Sequence, residues 1–429
     1  MLYYSTNNQN KKVDLKEAVM TSLSSDNGLY LPEDIIPLDS FILKNIERLS
    51  FAELSYEIAL KLAGNNLPKN DLRNIVNESI NFEAPLIYLN DTLASLELWH
   101  GESMAFKDFG ARFMSGLMSY FVRNENKEHT ILVATSGDTG GAVAAGFHNT
   151  PGIRVVILYP SGRVSDIQEK QLTTWGDNII AVEVAGNFDD CQALVKKAFS
   201  DSSLNEKLRL SSANSINIAR LIPQTFYYFE AYKQIKDKNK PVVFSVPSGN
   251  FGNLTAGLIA KRMGLSVDQF IAATNINKVV PDYLDTGEFI PMVSRATISN
   301  AMDVGYPSNF TRILSMYSST WNNIRKDIKG FWLDDDHTKK SMLEAFNKYN
   351  YITDPHGAIG FAACSIEDPN KNRVFLETAH PCKFLNVVEE TLGIIVEIPE
   401  KITSIMNKSK TTHQIDNTYS IFKDLLLTL

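Results

Sequence analysis

Ile131-Leu132-Val133-Ala134-Thr135 runs straight into Ser136-Gly137-Asp138-Thr139-Gly140-Gly141 and then into a small-residue stretch through Ala145. A short unbroken apolar run closed by a Gly-rich turn reads as a buried strand, a tight loop and a helix start. The pattern repeats downstream. Strands are expected at Val155–Tyr159, Asn178–Val184 and Leu208–Ser211, with helices at Gln168–Thr174 and Phe188–Phe199 between them. After a long helix from Ile218 to Lys236, interrupted near Pro223, the alternation resumes. Val242–Val246, the helix Leu254–Met263, Phe270–Thr274, a strand and helix over Trp332–Asn350, and Val374–Thr378 follow in turn. Alternating strands and helices imply an α/β fold with two open, largely parallel sheets. Upstream, helices are expected over Asp14–Ser25, Phe51–Ala63 and Asp71–Ile80, so the first eighty-odd residues read as a helical preface.

The chain has 429 residues, too many for one small core. Hydrophobic content of 44% and charged content of 21% are ordinary for a globular protein. A net charge of -7 argues against a large nucleic-acid-binding face, and no apolar run is long enough for a membrane span. The first dozen residues lack the apolar core of a secretory signal. Cys191, Cys364 and Cys382 are odd in number, far apart and without metal-ligand spacing. A cytoplasmic protein without a metal site is expected.

Three stretches could carry chemistry. Lys107 stands among Phe106, Phe109 and Phe113 at the mouth of an apolar-periodic helix. Apolar packing disfavours the ammonium and frees the amine to attack a carbonyl; a solvated lysine opposite a buried face is the plain alternative. Ser248-Gly249-Asn250-Phe251-Gly252-Asn253 follows a strand and opens a helix, where unpaired amides and the helix dipole suit a phosphate. It has neither the P-loop pattern nor the full dinucleotide fingerprint, and an ordinary tight turn would look the same. Thr135 to Gly141 has the same context and could hold a carboxylate, with Asp138 kept for another role or simply capping the helix. Two anion cradles in separate α/β units suggest a cleft with two charged anchor points. Arg220, after the donor-rich Ser211–Asn217, could clamp a further phosphate or lie on the surface. His356 in Asp354-Pro355-His356-Gly357 reads as structural at a helix start.

Taken together, these stretches resemble the threonine synthases, pyridoxal-phosphate enzymes of fold type II. The resemblance rests on Ala105–Phe113, Thr135–Gly140, Asn214–Asn217 with Arg220, Gly249–Asn253, Asn300–Gly305 with Pro307–Phe310, and Glu377–Pro381, in the family's order. Tyr3–Thr6 and Ser24–Tyr30 are similar to its amino-terminal segment, and Cys382 stands where many members have alanine. It implies a mainly helical segment over 1–85, a large cofactor-binding α/β domain from 86–110 and 225–429, and a small α/β domain over 111–224, with the cofactor in the cleft.

The resemblance further implies that Lys107 holds pyridoxal 5'-phosphate as a Schiff base and shuttles protons. Gly249, Asn250, Phe251, Gly252 and Asn253 would hold its phosphate, Thr378 would face the pyridine nitrogen, and Asp138 would sit near the phenolic oxygen. Thr135, Ser136, Gly137 and Thr139 would cradle the substrate carboxylate; Ser215, Asn217 and Arg220 would take the substrate's own phosphate. The implied reaction of threonine biosynthesis converts O-phospho-L-homoserine and water to L-threonine and phosphate by γ-elimination and β-addition of water, the work of a carbon–oxygen lyase acting on phosphate. A monomer or homodimer without nucleic-acid or membrane partners is expected. The rivals are another fold type II lyase such as threonine dehydratase or a sulfhydrylase, and a non-catalytic paralogue that binds a metabolite. A nicotinamide oxidoreductase fits poorly, because no acidic residue closes the strand ending at Tyr159.

Overall fold

The computed structural model describes residues 1–429. Its amino terminus is not purely helical. β1 (Tyr3–Ser5), β2 (Asn8–Val13) and β3 (Tyr30–Pro32) form a small antiparallel sheet in the order β2-β1-β3. The expected preface missed it because β1 and β3 are only three residues long, β2 is polar, and the pairing of β1 with β3 is not local in sequence: Tyr3 pairs with Val13 and Pro32. The helices Leu15–Thr21, Phe51–Ala63 and Lys69–Ser79 follow expectation closely. Ser50 and Glu53 form a capping box at the start of the second.

β4 (Leu86–Tyr88) and β5 (Leu93–Glu97) come next, then β6 (His129–Ala134), β7 (Ile153–Pro160), β8 (Ile179–Ala185) and β9 (Leu210–Ser212). β10 (Val242–Pro247), β11 (Gln269–Thr274), β12 (Ile328–Trp332), β13 (Asn372–Glu377) and β14 (His413–Asp416) complete the set. The large sheet has the order β12-β11-β10-β13-β5-β4, and the small sheet β14-β8-β7-β6-β9. Every pairing in the two sheets is parallel except β4 with β5. Ile131, Leu132, Val133, Val155, Val156 and Ile157 are all fully buried, as a strand covered by helices on both faces requires.

One boundary needs correcting. Residues 225–429 do not all join the large sheet, because β14 pairs with β8 at the edge of the small one. Phe422 and Leu426, on the last helix Tyr419–Thr428, are buried with Leu132, Val156, Val182 and Leu194. A lone four-residue polar strand, His413–Asp416, gives no sign in the sequence of which sheet edge it will cover.

Close helix packing then brings the two halves of the site together. Helix Lys107–Val122 crosses helix Asp138–Phe147 where Gly146 meets Ala111; a Cβ at 146 would lie 3.0 Å from the Ala111 carbonyl carbon. That approach sets the first residues of both helices, Lys107 and Asp138, at one cleft. Replacing Phe422 by Ala should cost ~3–5 kcal/mol, seen as a lower denaturant midpoint. An unchanged midpoint would mean that the carboxyl-terminal helix does not anchor the small sheet.

Candidate active site

The cleft measures about 1470 Å³ and opens at the carboxyl ends of β6, β10 and β13, where open α/β sheets bind ligands. Lys107 is delivered to it by a short backbone clasp. The Phe106 amide donates to the Thr378 carbonyl (2.8 Å), and the His380 amide donates to the Met104 carbonyl (3.0 Å). The clasp lays the lysine beside the residue that ends β13. Only 16% of the Lys107 side chain is exposed. Of the three aromatic residues around it in sequence, only Phe106 approaches the amine, 5.6 Å from its ring centre. Phe109 and Phe113 turn to the core side of the helix, edge-on to Tyr227 and Phe226. Burial pushes the Lys107 ammonium toward losing its proton; Asp138 opposes this, while Lys383 and Arg220 add to it.

Asp138 is the electrostatic centre. Its Oδ2 lies 3.5 Å from Lys107 Nζ, and its Oδ1 accepts from Lys383 Nζ (2.8 Å) and Gln168 Nε2 (3.0 Å). Burial alone would raise its pKa, but the two lysines and these hydrogen bonds hold it well below the usual carboxylate range. Lys383 was not anticipated from the sequence. Its side chain is fully buried and also donates to the Ser103 carbonyl at 2.8 Å. The available signal was a lysine between Cys382 and Phe384 in an apolar run, which does not name its partner.

The loop after β10 is built as an anion cradle. The amides of Gly249, Asn250 and Phe251 donate to no group of the chain. Phe251 stands at the cap of helix Gly252–Arg262 with φ +59°, the left-handed region, which turns the loop's amides inward. No side chain fits at 249, where a Cβ would meet the Ala301 oxygen and Met302 Cα at 2.7 Å. Asn250 ties the loop outward, donating to Ser215 Oγ and accepting from the Ser308 amide. Asn253 closes it from within, donating to the Pro247 carbonyl at 2.8 Å. His356 holds the lid over Gly249: its Nε2 accepts from the Ala301 amide (3.2 Å), leaving Nδ1–H to donate to Asp354 (2.7 Å).

The remaining expected site residues divide. Ser136, Thr139, Ser215, Arg220 and Thr378 all line the cleft. Arg220 is buried and donates to the Ala213 carbonyl through Nη1, while its Nε has no partner. Burial lowers its pKa to about 10, opposed by Asp108. Three residues are corrected. Thr135 is buried, and its hydroxyl accepts the Gly137 and Gly140 amides at 2.9 Å, so both it and the Gly137 amide are committed to shaping the turn. Asn217 is wholly buried; it caps Ala219 and donates to the Val19 carbonyl and Ser22 Oγ, both at 2.8 Å. It braces the amino-terminal segment instead of facing the cleft. Arg312, also unanticipated, is buried and donates to the carbonyls of Tyr30, Ser215 and Ile216, fixing the turn that presents Ser215.

These groups fit a cofactor that carries an aldehyde, a phosphate and a ring nitrogen. The amine of Lys107, the unpartnered amides at 249–251 and the Thr378 side chain at the cleft wall supply one partner for each.

Comparison with known proteins agrees. Residues 87–375 match the pyridoxal-phosphate dependent enzyme family, residues 2–80 the threonine synthase N terminus, and residues 357–426 the threonine synthase C-terminal family. Threonine synthase of Haemophilus influenzae is 42% identical over 100% of both chains. The crystal structure of threonine synthase from Escherichia coli superposes with TM-score 0.92 at 39% identity, covering 100% of each chain. That of pyridoxal-phosphate-bound threonine synthase from Brucella melitensis gives TM-score 0.94 at 31% identity, covering 99% of this chain and 98% of its own. No helix is long and apolar enough to cross a membrane. With that cleft, that loop and likeness along its whole length, the chain belongs to the threonine synthase family of pyridoxal-phosphate-dependent enzymes.

Proposed function

We propose that this chain, in the cytoplasm, converts O-phospho-L-homoserine and water to L-threonine and phosphate. The observation that carries the proposal is the pairing of one reactive amine with two separate anion sites in one cleft. Lys107 shares one cleft with the open amides at 249–251 and the half-satisfied guanidinium of Arg220. One site suits the cofactor's phosphate and the other the substrate's. A dehydratase acting on free threonine would need only the first.

When bound, pyridoxal phosphate supplies an electron sink for negative charge developing on the substrate. The chain's own residues do the rest. Lys107 takes the proton from Cα, and burial, which weakens its hold on a proton, favours the free amine that this task needs. Ser136 and Thr139, with backbone around them, orient the substrate carboxylate at the start of helix Asp138–Phe147. Thr378, at the cleft wall, would hold the ring nitrogen; a hydroxyl there does not fix a proton as a carboxylate would. Asp138, held ionised by its two lysines, would lie near the phenolic oxygen. Ser215 and Arg220 take the substrate phosphate and hold it as it leaves Cγ. Closure of the cleft would keep water out until the step that needs it.

The decisive assay supplies O-phospho-L-homoserine to the cofactor-loaded protein and measures threonine and phosphate together. Equal yields, both falling by ~10²–10⁴-fold or more in Lys107→Ala, are expected; phosphate with 2-oxobutyrate would point to elimination without hydration. Arg220→Ala should raise KM about 10- to 100-fold, the loss of one charge-assisted hydrogen bond. An unchanged KM would remove Arg220 from the phosphate site. Gly249→Ala should weaken cofactor affinity by about tenfold or more, or ~1.4 kcal/mol, measured by titrating the cofactor-free protein and following absorbance.

A further inference from the structure

Two lysines face one carboxylate in the cleft, and only one of them can be the reactive amine. Lys107 and Lys383 approach Asp138 from different segments, at 3.5 Å and 2.8 Å. Their settings differ. Lys383 is fully buried, donates to Asp138 Oδ1 and to the Ser103 carbonyl, and follows β13 of the large sheet. Gln168 fills the rest of Oδ1 at 3.0 Å. Lys107 is left with Oδ2 alone, at a distance too long for a good hydrogen bond.

We propose that Lys383 is a positioning residue: it occupies Asp138 Oδ1, so that only the long contact to Oδ2 is left for Lys107, and Lys107 is the lysine that serves as the free amine. Asp138 cannot offer both buried lysines a close ion pair, so the one held at the longer distance is the easier to deprotonate. The lysine with the poorer acceptor is Lys107. The other charged group acting on Lys107 is Arg220 on helix Ile218–Leu221; Asp108, on the Lys107 helix, acts on Arg220 and Lys383 instead. Asp108 is turned away, its Oδ2 accepting the Ser103 amide at 2.8 Å, and burial lifts it to about 6. Arg220 adds positive charge and so acts in the same direction as Lys383. Asp138 starts a helix that follows the small sheet's β6, whereas Lys383 follows β13 of the large sheet, so the same ion pair also bridges the cleft.

This inference rests on Lys107 being the reactive amine, but its test does not depend on turnover. The full-length protein is stripped of cofactor and acetylated in trace amounts by acetic anhydride across about pH 6 to 10, spanning the shifted and ordinary lysine ranges. The peptide holding Lys107 is quantified by mass spectrometry, and the melting temperature of each variant is recorded. Lys383→Met should move the Lys107 midpoint upward by about one unit or more, as removal of a neighbouring cation does. Lys383→Arg, which keeps the cation, should retain the original midpoint. Should Lys383→Met not fold, the pair Asp138→Asn and Asp138→Asn/Lys383→Met decides alone. Without Asp138 the repulsion between the lysines is uncompensated, so adding Lys383→Met must raise the midpoint. An identical midpoint with and without Lys383 in either background would overturn the proposal, whatever the effect on melting. Absence of threonine formation by the unaltered, cofactor-loaded protein with these shifts intact would instead count against the proposed reaction.

Discussion

The closeness with which neighbouring segments approach helix Lys107–Val122 is the constraint on which the rest of the site depends. Three small residues make it possible. Ala111 meets Gly146 of helix Asp138–Phe147; Gly110 lies under Arg220, where a Cβ would be 2.6 Å from Nε; Gly116 lies against Ile75, with 2.9 Å left for a Cβ. Protein interiors are packed tightly enough that one added carbon at such a crossing displaces a whole helix. Because all three crossings fall on one helix, the ammonium of Lys107, the carboxylate of Asp138 and the guanidinium of Arg220 are set by packing. None of these groups sits on a flexible loop free to seek its partner.

Burial then sets the chemistry. Charged groups out of water need partners, and each buried cation here has a distinct set. Arg312 holds three carbonyls, Lys383 a carboxylate and a carbonyl, and Arg220 one carbonyl with Nε to spare. Lys107 has the weakest partner of the four, Asp138 Oδ2 at 3.5 Å. The groups with complete partner sets build the site, and those with incomplete sets are the ones open to a ligand. The same contrast separates the amides at 249–251 from those of Gly137 and Gly140, which Thr135 already satisfies. Donors that are fixed in place and unpaired bind an anion without first reorganising.

The amino-terminal segment is part of this arrangement. The Tyr30 carbonyl of β3 receives Arg312, which in turn fixes the Ser215 turn; Val19 and Ser22 receive Asn217 just below it. A small sheet remote in sequence from the cleft thus sets the position of a hydroxyl inside it. The last strand does a comparable service from the other end of the chain, covering the edge of the small sheet at β8.

Much of this was legible in the residues alone. Apolar runs such as Ile131–Ala134 and Val155–Tyr159, each closed by glycine or proline, define buried strands through local hydrophobic pattern. The Gly-rich loops at 135–141 and 248–253 announce anion-binding helix starts for the same local reason, and Lys107 stood out by its aromatic neighbours. Interactions that pair distant segments were not legible. β1 with β3, β14 with β8, and Lys383 with Asp138 each join residues with no sequence relation, so no spacing announces them. Nor could sequence tell that Thr135 and Asn217 turn inward to hold their own backbone while Ser136 and Ser215 beside them face the cleft. The chain by itself determined which segments are strands and which loops can hold an anion, because those depend on neighbours in sequence. Which side chains keep a free donor, and which lysine is left with the weaker partner, was decided by the tertiary structure, because both depend on partners that only folding brings within a few ångströms.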